Sequence, residues 1–489
     1  MKLFLRLVFV CIMFVPVTLF SRSADAVPPF ARKYKTSCTT CHWIAWPKLN
    51  PFGRAFRARG YRIPPEDEIY VKDEPVVMGA EPWKRLFPFD AMWPTDIPGM
   101  PPVGIGFDAE FTKKTQINKG ETAFNGIGEI ELFTGGTLGE SFSWFGVLAL
   151  FENEGAFEES KTNIDRWFGI YTPQFFDWTP GFLNIRFGQF EPRAVPFSNH
   201  RRILRIRPYL ADIFPVVPTG NFFGFSPNQK GIELFGAMNG PGGRGGFEWA
   251  VGLVNGEVGG ALGPFKGVSG MPGSIATQVG EEWEGAANAF DINNAKDWYV
   301  RLSYKLGGMG VLGGVSEEPL TSTKNWRDEK FTPKISAFVY RGTQGYFRNL
   351  MDLEGSFKNK GNRFWRFGAE MDFFLYDFNI FGGATFFRDR TDQSVTMGSQ
   401  EGDTFNVNIY TAEVDYVALP WLVPAFRWEY VDPNYDVMDT DAFHRYSFDL
   451  SVMLRANTKV LLGGSWSEEN LRNITPNNEI WRTAIEIDF

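Results

Sequence analysis

Long apolar runs are missing from this 489-residue chain after residue 20, although 44% of its residues are hydrophobic and 16% are aromatic. A helical membrane protein needs repeated apolar runs of about 18 residues or more, so that class is excluded. Only three cysteines are present, too few for a disulfide-dense scaffold. A disordered composition is also absent, because charged residues make up only 22% and Phe is abundant. The length then predicts either several domains or one large closed sheet.

The first 26 residues read as a secretory signal peptide. Lys2 and Arg6 provide a charged start, residues 7–20 an apolar core, and residues 24–26 an A-x-A cleavage site. A membrane anchor is the alternative, but the apolar run is shorter than the roughly 20 residues that a spanning helix needs. Cleavage after Ala26 would remove Cys11 and leave two cysteines in an exported protein.

Those two cysteines lie in Cys38-Thr39-Thr40-Cys41-His42, which has the spacing of a c-type haem attachment sequence. Two thiols at this spacing reach the two vinyl groups on one porphyrin edge, and the adjacent imidazole reaches the iron. One covalent haem c with His42 as proximal ligand is therefore predicted. A zinc site or a thioredoxin-type redox pair is the alternative. Zinc would need further ligands, and the exported chain has only His200 and His444 besides His42.

The residues around this motif are basic. Residues 27–62 carry eight Lys or Arg and no acidic residue. Arg54 to Arg59 predicts a short helix capped by Gly60. Residues 63–102 contain nine prolines, so this stretch is predicted to be extended or irregular. We assign residues 27–102 to a small α/irregular cytochrome c-like domain with a Pro-rich linker, too small to bury a haem alone.

From about residue 103 the sequence alternates with period 2. Trp365, Phe367 and Met371 alternate with Arg366, Glu370 and Asp372. Residues 445–455 and 481–489 alternate in the same way. One lipid-like face and one charged face are typical of a transmembrane β-barrel with a polar lumen, whereas a soluble β-sandwich is the alternative.

Residues 103–489 are therefore predicted to form an all-β outer-membrane barrel of sixteen strands, with 14 or 18 as alternatives. Short turns alternate with longer connections, which predicts that both termini lie on the periplasmic side. The chain ends on an aromatic residue, Phe489, as outer-membrane barrels do. The strands are predicted to begin near residues 103, 127, 142, 163, 181, 229, 245, 296, 330, 362, 378, 405, 421, 442, 458 and 477.

The charges of the two parts are opposite. Residues 63–489 contain 38 basic and 56 acidic residues, against eight basic and no acidic residues in 27–62. A basic segment beside an acidic barrel is expected to be drawn into its lumen. The candidate partners of the basic segment in the barrel wall are Glu370, Asp372, Asp449, Glu486 and Asp488. The alternative is that these carboxylates only solvate a water-filled pore.

A longer motif surrounds the cysteines: Phe30-Ala31-Arg32, Cys38-Thr39-Thr40-Cys41-His42, Pro47-Lys48-Leu49-Asn50-Pro51-Phe52-Gly53-Arg54, Phe56 and Gly60-Tyr61, followed by a barrel. On this motif the sequence resembles the fused monohaem cytochrome c-porin family of outer-membrane iron oxidases. The resemblance implies a cytochrome domain that plugs a porin-like barrel, takes electrons from extracellular Fe(II) and passes them to a soluble periplasmic c-type cytochrome. No nucleic acid is expected among its partners.

The second axial ligand of the haem iron has two sets of candidates. Met78, Met92 and Met100 follow the motif, as a methionine ligand does in many small cytochromes c. His200 lies in the connection after the fifth strand, which often folds into the lumen of sixteen-stranded porins, together with Arg201, Arg202, Arg205 and Arg207. His444 falls on the same face as Tyr446 and Phe448, so it is predicted at the rim or facing lipid.

Three functions are compatible with these features. The first is a one-electron carrier of the Fe(II) oxidase type working inward, and the second is the same conduit delivering electrons outward. The third is a solute porin with a structural or sensory haem, which a plugged lumen argues against. Fe(II) prefers oxygen and imidazole ligands. A surface iron site would therefore be built from loop carboxylates such as Glu281, Glu282 or Asp403, whose alternative role is loop solvation.

Overall fold

The computed structural model describes most of the region from residue 103 onward and a compact part of the N-terminal region. The described residues are 29–34, 36–44, 46–63, 76–77, 96–97, 103–116, 119–138, 141–152, 163–173, 181–194, 209–214, 216, 221, 223–225, 228–256, 295–313, 328, 331–344, 362–391, 402–434, 442–455, 457–469 and 479–488. The predicted signal peptide and the terminal Phe489 lie outside these residues.

Sixteen strands of the described residues close into one antiparallel barrel, in which each strand pairs with its neighbours in sequence and the last strand pairs with the first. The predicted fold class and strand count are confirmed. After a short ribbon of β1 (Val76–Val77) and β2 (Asp96–Ile97), the barrel strands are β3 (Val103–Gln116), β4 (Lys119–Leu138), β5 (Phe142–Glu152), β6 (Asn163–Tyr171), β7 (Asn184–Phe190), β8 (Gln229–Asn239), β9 (Arg244–Val254), β10 (Asp297–Met309), β11 (Thr332–Gln344), β12 (Asn362–Leu375), β13 (Phe378–Arg390), β14 (Thr404–Tyr416), β15 (Leu422–Asn434), β16 (Phe443–Arg455), β17 (Thr458–Glu469) and β18 (Glu479–Asp488).

The predicted alternation of faces is also confirmed. On β12, Phe367 and Met371 are 42% and 45% exposed, whereas Arg366 and Glu370 are 0% and 4% exposed. Apolar side chains therefore face outward and charged ones face the interior, the reverse of a soluble sandwich. A closed sheet of this kind satisfies its backbone hydrogen bonds internally, as a lipid environment requires.

The second barrel strand differs from its prediction, because β4 begins at Lys119 rather than near residue 127. It pairs with β3 across a two-residue connection, and the register shifts at Asp108/Ala109 and again at Glu110/Phe111. Each bulge inserts one unpaired residue and interrupts the alternation, so the pattern of period 2 is lost there.

The two ends of the barrel differ in their connections. One end, here called the turn end, carries the two-residue turns 376–377 and 456–457 and also the start of β3 and the end of β18. The opposite loop end carries the long connections 191–228 and 255–296. Two turn-end connections, 172–183 and 310–331, are longer than a tight turn, and one loop-end connection, 117–118, is short.

Within the described ranges, three short α-helices accompany the barrel: α1 (Pro29–Tyr34), α2 (Pro51–Ala58) and α3 (Leu210–Ile213). Helix α2 begins three residues earlier than predicted, because Asn50 caps it and Pro51 occupies its first turn. Gly60 follows the helix with a φ of 69°, which confirms its predicted role as a terminator. None of the helices in the described ranges is long and apolar enough to cross a bilayer.

Candidate functional site: a CxxCH turn inside the barrel

The cysteine motif folds into one tight turn. Residues Cys38–Thr40 form a single turn of 3₁₀-helix, and the amide of His42 donates to the carbonyl of Cys38 over 2.9 Å. Ser37 caps this turn through its side chain. The turn therefore brings Cys38, Cys41 and His42 together, as the haem prediction requires.

The imidazole of His42 is oriented by a backbone carbonyl. Its Nδ1 lies 3.2 Å from the carbonyl oxygen of Pro47. Because a carbonyl only accepts, Nδ1 carries the proton and the lone pair of Nε2 is left for a metal. Burial lowers the pKa of His42 to about 4, so the ring is neutral near pH 7, the form that binds iron. This arrangement fits a proximal haem ligand.

The buried side chain of Asn50 holds the turn in place. Its Nδ2 donates to the carbonyls of Thr39, Thr40 and His42 at 3.1, 2.9 and 3.1 Å. Its Oδ1 accepts from the amide of Gly53 at 2.8 Å, which caps helix α2. One side chain thus joins the CxxCH turn to the helix that follows, a role that the sequence analysis did not identify.

Helix α2 also packs directly on the turn. A Cβ atom at Gly53 would lie 2.0 Å from the carbonyl oxygen of Cys41, so only glycine permits this approach. Burial raises the pKa of Cys38 and Cys41 to about 12, with the carboxylate of Asp488 contributing at Cys38. Reactive CxxC pairs have a lowered thiol pKa, so this environment does not favour the thioredoxin-type alternative. Among the described residues, no group of three His, Cys, Asp or Glu is placed to hold a metal ion, as the zinc alternative would require.

The N-terminal segment, defined here as residues 29–63, lies inside the barrel near the turn end. Lys48 forms an ion pair with Asp415 of β14, and both side chains are almost fully buried. Lys459 of β17 donates to the carbonyl of Trp46 over 2.6 Å. Trp43 packs in a buried apolar cluster with Phe374 and neighbouring wall residues. Charge and packing therefore both fix the segment to the wall.

Further contacts surround the segment. Arg54 of α2 donates to Asp372 of β12 over 2.6 Å, with its guanidinium over the ring of Phe374. The carbonyl of Gly60 accepts from Ser143 of β5 at 2.6 Å. The segment thus touches walls on several sides of the lumen.

The five acidic residues predicted to pair with the N-terminal segment make different contacts. Asp372 pairs with the segment as expected. Glu370 and Glu486 instead pair with wall cations, Arg301 and Lys459. The remaining two carboxylates lie on β16 and β18. Asp449 is buried, and the charge of Asp488 contributes to the raised pKa of the Cys38 thiol.

Asp415 is the buried wall partner that the sequence analysis missed. Its position on the inward face follows from the alternation of β14, in which Glu413 and Asp415 are buried between exposed neighbours. The alternation therefore provided a signal for its location. The choice of Lys48 as its partner depends on the tertiary fold.

The distal ligand candidates are not tested by these contacts. Met78, Met92, Met100 and His200 lie outside the described residues, as do Arg201, Arg202, Arg205 and Arg207. His444 lies on the outer face, as predicted, where its Nδ1 accepts from Trp428 at 3.1 Å. Its ring contacts Tyr430 and Tyr446, so it belongs to an outer aromatic band.

The described residues of the connection 191–228 contact the lumen wall, in agreement with the prediction that this connection folds into the lumen. The hydroxyl of Tyr209 donates to Glu413 over 2.7 Å, and the amide of Leu210 donates to Glu429 over 2.6 Å. Phe223 packs on Tyr340 with ring centroids 4.8 Å apart. The described parts of this connection thus line the lumen on the loop-end side of the N-terminal segment.

The predicted surface iron ligands are not brought together in the described part of the chain. Glu281 and Glu282 lie outside it. Asp403 lies beside β14, where its carbonyl accepts from the amide of Thr391 at 2.9 Å.

The fold defines the class of this protein as an outer-membrane, porin-like β-barrel. No protein family description and no curated protein matches the chain. Among solved structures it is similar to an anion-selective porin from Comamonas acidovorans, at 8% identity and a TM-score of 0.49, over 79% of this chain and 98% of that one. It is also similar to a loop L8 deletion mutant of OmpT of Vibrio cholerae (8%, 0.45, 79% and 99%) and to Salmonella typhi OmpF in complex with daunomycin (10%, 0.45, 79% and 97%). No function is carried over from these structures at such identities.

Proposed function

We propose that this protein is an outer-membrane electron carrier, in which the CxxCH turn binds one covalent haem c inside the barrel. The donor proposed is extracellular Fe(II), and the acceptor proposed is a soluble c-type cytochrome in the periplasm. The observation that carries the proposal is that His42, neutral and held at Nδ1 by the carbonyl of Pro47, lies in a segment that is buried against the lumen wall.

The residues of the chain perform a modest set of tasks. Cys38 and Cys41 would attach the haem, and His42 would coordinate its iron through Nε2. The haem, when bound, supplies reversible one-electron chemistry at its iron. Asn50 keeps the turn rigid, so little reorganisation accompanies a change of charge at the site. No general base or nucleophile is needed for Fe(II) oxidation.

The barrel wall supports such a carrier in two ways. It insulates the turn from lipid, and its two longest connections, 191–228 and 255–296, are at the end opposite the N-terminal segment. We assign the turn end to the periplasm and the loop end to the cell surface, following the pattern of outer-membrane barrels. Lumenal residues of the connection 191–228 further restrict free passage of solutes, which favours a conduit over a solute porin.

Anaerobic addition of Fe(II) to the purified protein tests this function. We expect the absorption spectrum of oxidised haem to change to that of reduced haem, because Fe(II) donates one electron per haem. A His42→Ala variant should lose the native haem spectrum. A folded wild-type protein with attached haem that stays oxidised in excess Fe(II) would rule out the iron-oxidase proposal.

The same preparation tests the direction of transfer. Reduced protein mixed with an external acceptor, such as a soluble ferric chelate, reports outward transfer through reoxidation of the haem. An inward carrier should be reduced by Fe(II) and reoxidised by a soluble c-type cytochrome. Faster reoxidation by the ferric chelate than by the cytochrome would favour the outward conduit.

A further inference from the structure

A cavity of about 90 Å³ lies inside the barrel beside the N-terminal segment. Helix α2 forms one side, the inner faces of β8–β11 form the other, and residues 191–193 complete the lining. The cavity therefore sits where the segment leaves part of the lumen unfilled.

The lining of this cavity is rich in cations. Two of them, Arg54 and Arg57, come from helix α2. The other three come from the loop and the wall: Arg193, Arg301 and Lys334. Among the described residues of the lining, the carboxylates are Glu191 and Glu248, so the positive charges of this described set exceed the negative ones by three.

Three of these cations have their counter-charges outside the lining. Arg54 pairs with Asp372 at 2.6 Å, and Arg193 pairs with Glu233 at 3.1 Å. Arg301 pairs with Glu370. The three carboxylates lie on the wall strands β8 and β12 and are not part of the described lining of the cavity.

Donor groups remain available at the α2 side. Nη2 of Arg54 and Nε of Arg57 are buried and make no hydrogen bond to a protein group. The ion pair of Arg57 with Glu191 is long, at 3.6 Å. Burial lowers the pKa of Arg193 to about 10, and the charges of Arg57 and Arg186 add to this lowering against the opposing charge of Glu233. Such mutual repulsion of cations is relieved by a bound anion.

We propose that this cavity is a binding site for a small polyvalent oxyanion, such as phosphate or a polycarboxylate. Guanidinium groups match carboxylate and phosphate oxygens in geometry, and such charge-assisted hydrogen bonds are stronger than neutral ones. An anion there joins helix α2 to strands β10 and β11. The site stands on its own lining and does not depend on electron transfer.

Binding of inorganic phosphate and of citrate to the purified holoprotein in detergent tests the site. We expect either anion to raise the midpoint of thermal unfolding more than chloride at equal ionic strength, because a ligand of the native state stabilises it by mass action. The anion with the lower Kd identifies the ligand chemistry. Haem absorption is recorded only to show that the protein is intact, so failure of iron oxidation does not affect the result.

Three charge variants and one control make the test specific. Arg57→Gln and Lys334→Gln should each weaken anion binding by about tenfold, since each removes one charged donor. Glu191→Gln removes a negative charge from the same lining and should tighten binding. Lys113→Gln, on the exposed outer face of β3, should leave the Kd unchanged.

Several results would overturn the proposal. One is an equal effect of phosphate, citrate and chloride on the folded wild-type protein. Another is unchanged binding in both cation variants, and a third is weaker binding in Glu191→Gln. The last variant keeps the test decisive even if loss of Arg57 or Lys334 prevents folding.

Discussion

At the residue scale, the sequence predicted the geometry of the CxxCH turn, whose residues are close together in the chain. The spacing of Cys38, Cys41 and His42 alone predicts a turn that brings the three side chains together, and the structure has that turn. The contact of His42 with Pro47 and the four hydrogen bonds of the Asn50 side chain depend on the path of residues 43–50. Residue spacing does not determine that path, so these contacts were not predicted.

Asn50 provides a prediction at this scale. Asn50→Ala should make the N-terminal segment open more readily, because the carbonyls of Thr39, Thr40 and His42 lose a donor, at about 1–3 kcal/mol for each buried group left unsatisfied. Asn50→Ser should recover about 1 kcal/mol of this loss by capping helix α2. Amide hydrogen exchange of residues 38–58 measures the opening free energy, and Thr39→Ala in the same turn serves as the control. Unchanged exchange in Asn50→Ala would refute the role given to this side chain.

The histidines give a second prediction. His444→Ala should leave the haem spectrum unchanged, because its ring lies among Trp428, Tyr430 and Tyr446 on the outer face. His42→Ala should abolish the native spectrum. His200 stays a prediction, and absorption spectra of His200→Ala measured beside these two variants test it. A spectral change in His444→Ala would contradict its placement.

At the element scale, alternation was the most informative signal. It predicted the inward face of β12, β16 and β18 and the start of most strands to within a few residues. It failed at β4, where two bulges shift the pairing with β3. For elements far apart in sequence, net charge predicted that the basic segment pairs with acidic wall residues. It did not predict which residues pair, such as Lys48 with Asp415.

The pairing of Lys48 with Asp415 is therefore worth testing. Lys48→Met leaves a buried carboxylate without its partner, at a cost of about 3–5 kcal/mol, and should release the N-terminal segment from the wall. Faster amide exchange in residues 46–58 and a higher single-channel conductance would report this release. The double variant Lys48→Met/Asp415→Leu should recover most of the wild-type behaviour, because an apolar pair of similar size replaces a buried ion pair at little cost.

Lys113→Met is the matched control for that experiment, since it removes an exposed cation from the outer face of β3. It should change neither exchange nor conductance. Wild-type behaviour of Lys48→Met, or a double variant no better than the single one, would show that the ion pair does not hold the segment.

At the scale of the whole molecule, opposite net charges join two parts of the chain, the basic N-terminal segment and the acidic barrel. The basic N-terminal segment lies in a lumen lined with buried carboxylates, and lumenal loop residues lie above it. The sequence predicted this arrangement from net charge. It did not predict the cavity beside α2, because an unfilled volume depends on how two surfaces fit.

Conductance tests this arrangement directly. The wild-type barrel should conduct weakly in planar bilayers, and a chain lacking residues 27–62 should conduct more strongly, because the segment obstructs the turn end. Current recorded at several voltages for both proteins measures the difference. Equal conductance would mean that the segment does not obstruct the lumen.

The most direct measurement of the central proposal uses liposomes that contain the protein, with oxidised soluble c-type cytochrome and an Fe(II) chelator trapped inside. Fe(II) added outside under anaerobic conditions should reduce the trapped cytochrome, and the His42→Ala barrel should support only the background rate of empty liposomes. The chelator removes any Fe(II) that leaks through. Absence of reduction above background in liposomes with intact wild-type haem protein, or equal rates with His42→Ala, would contradict electron transfer through the CxxCH site.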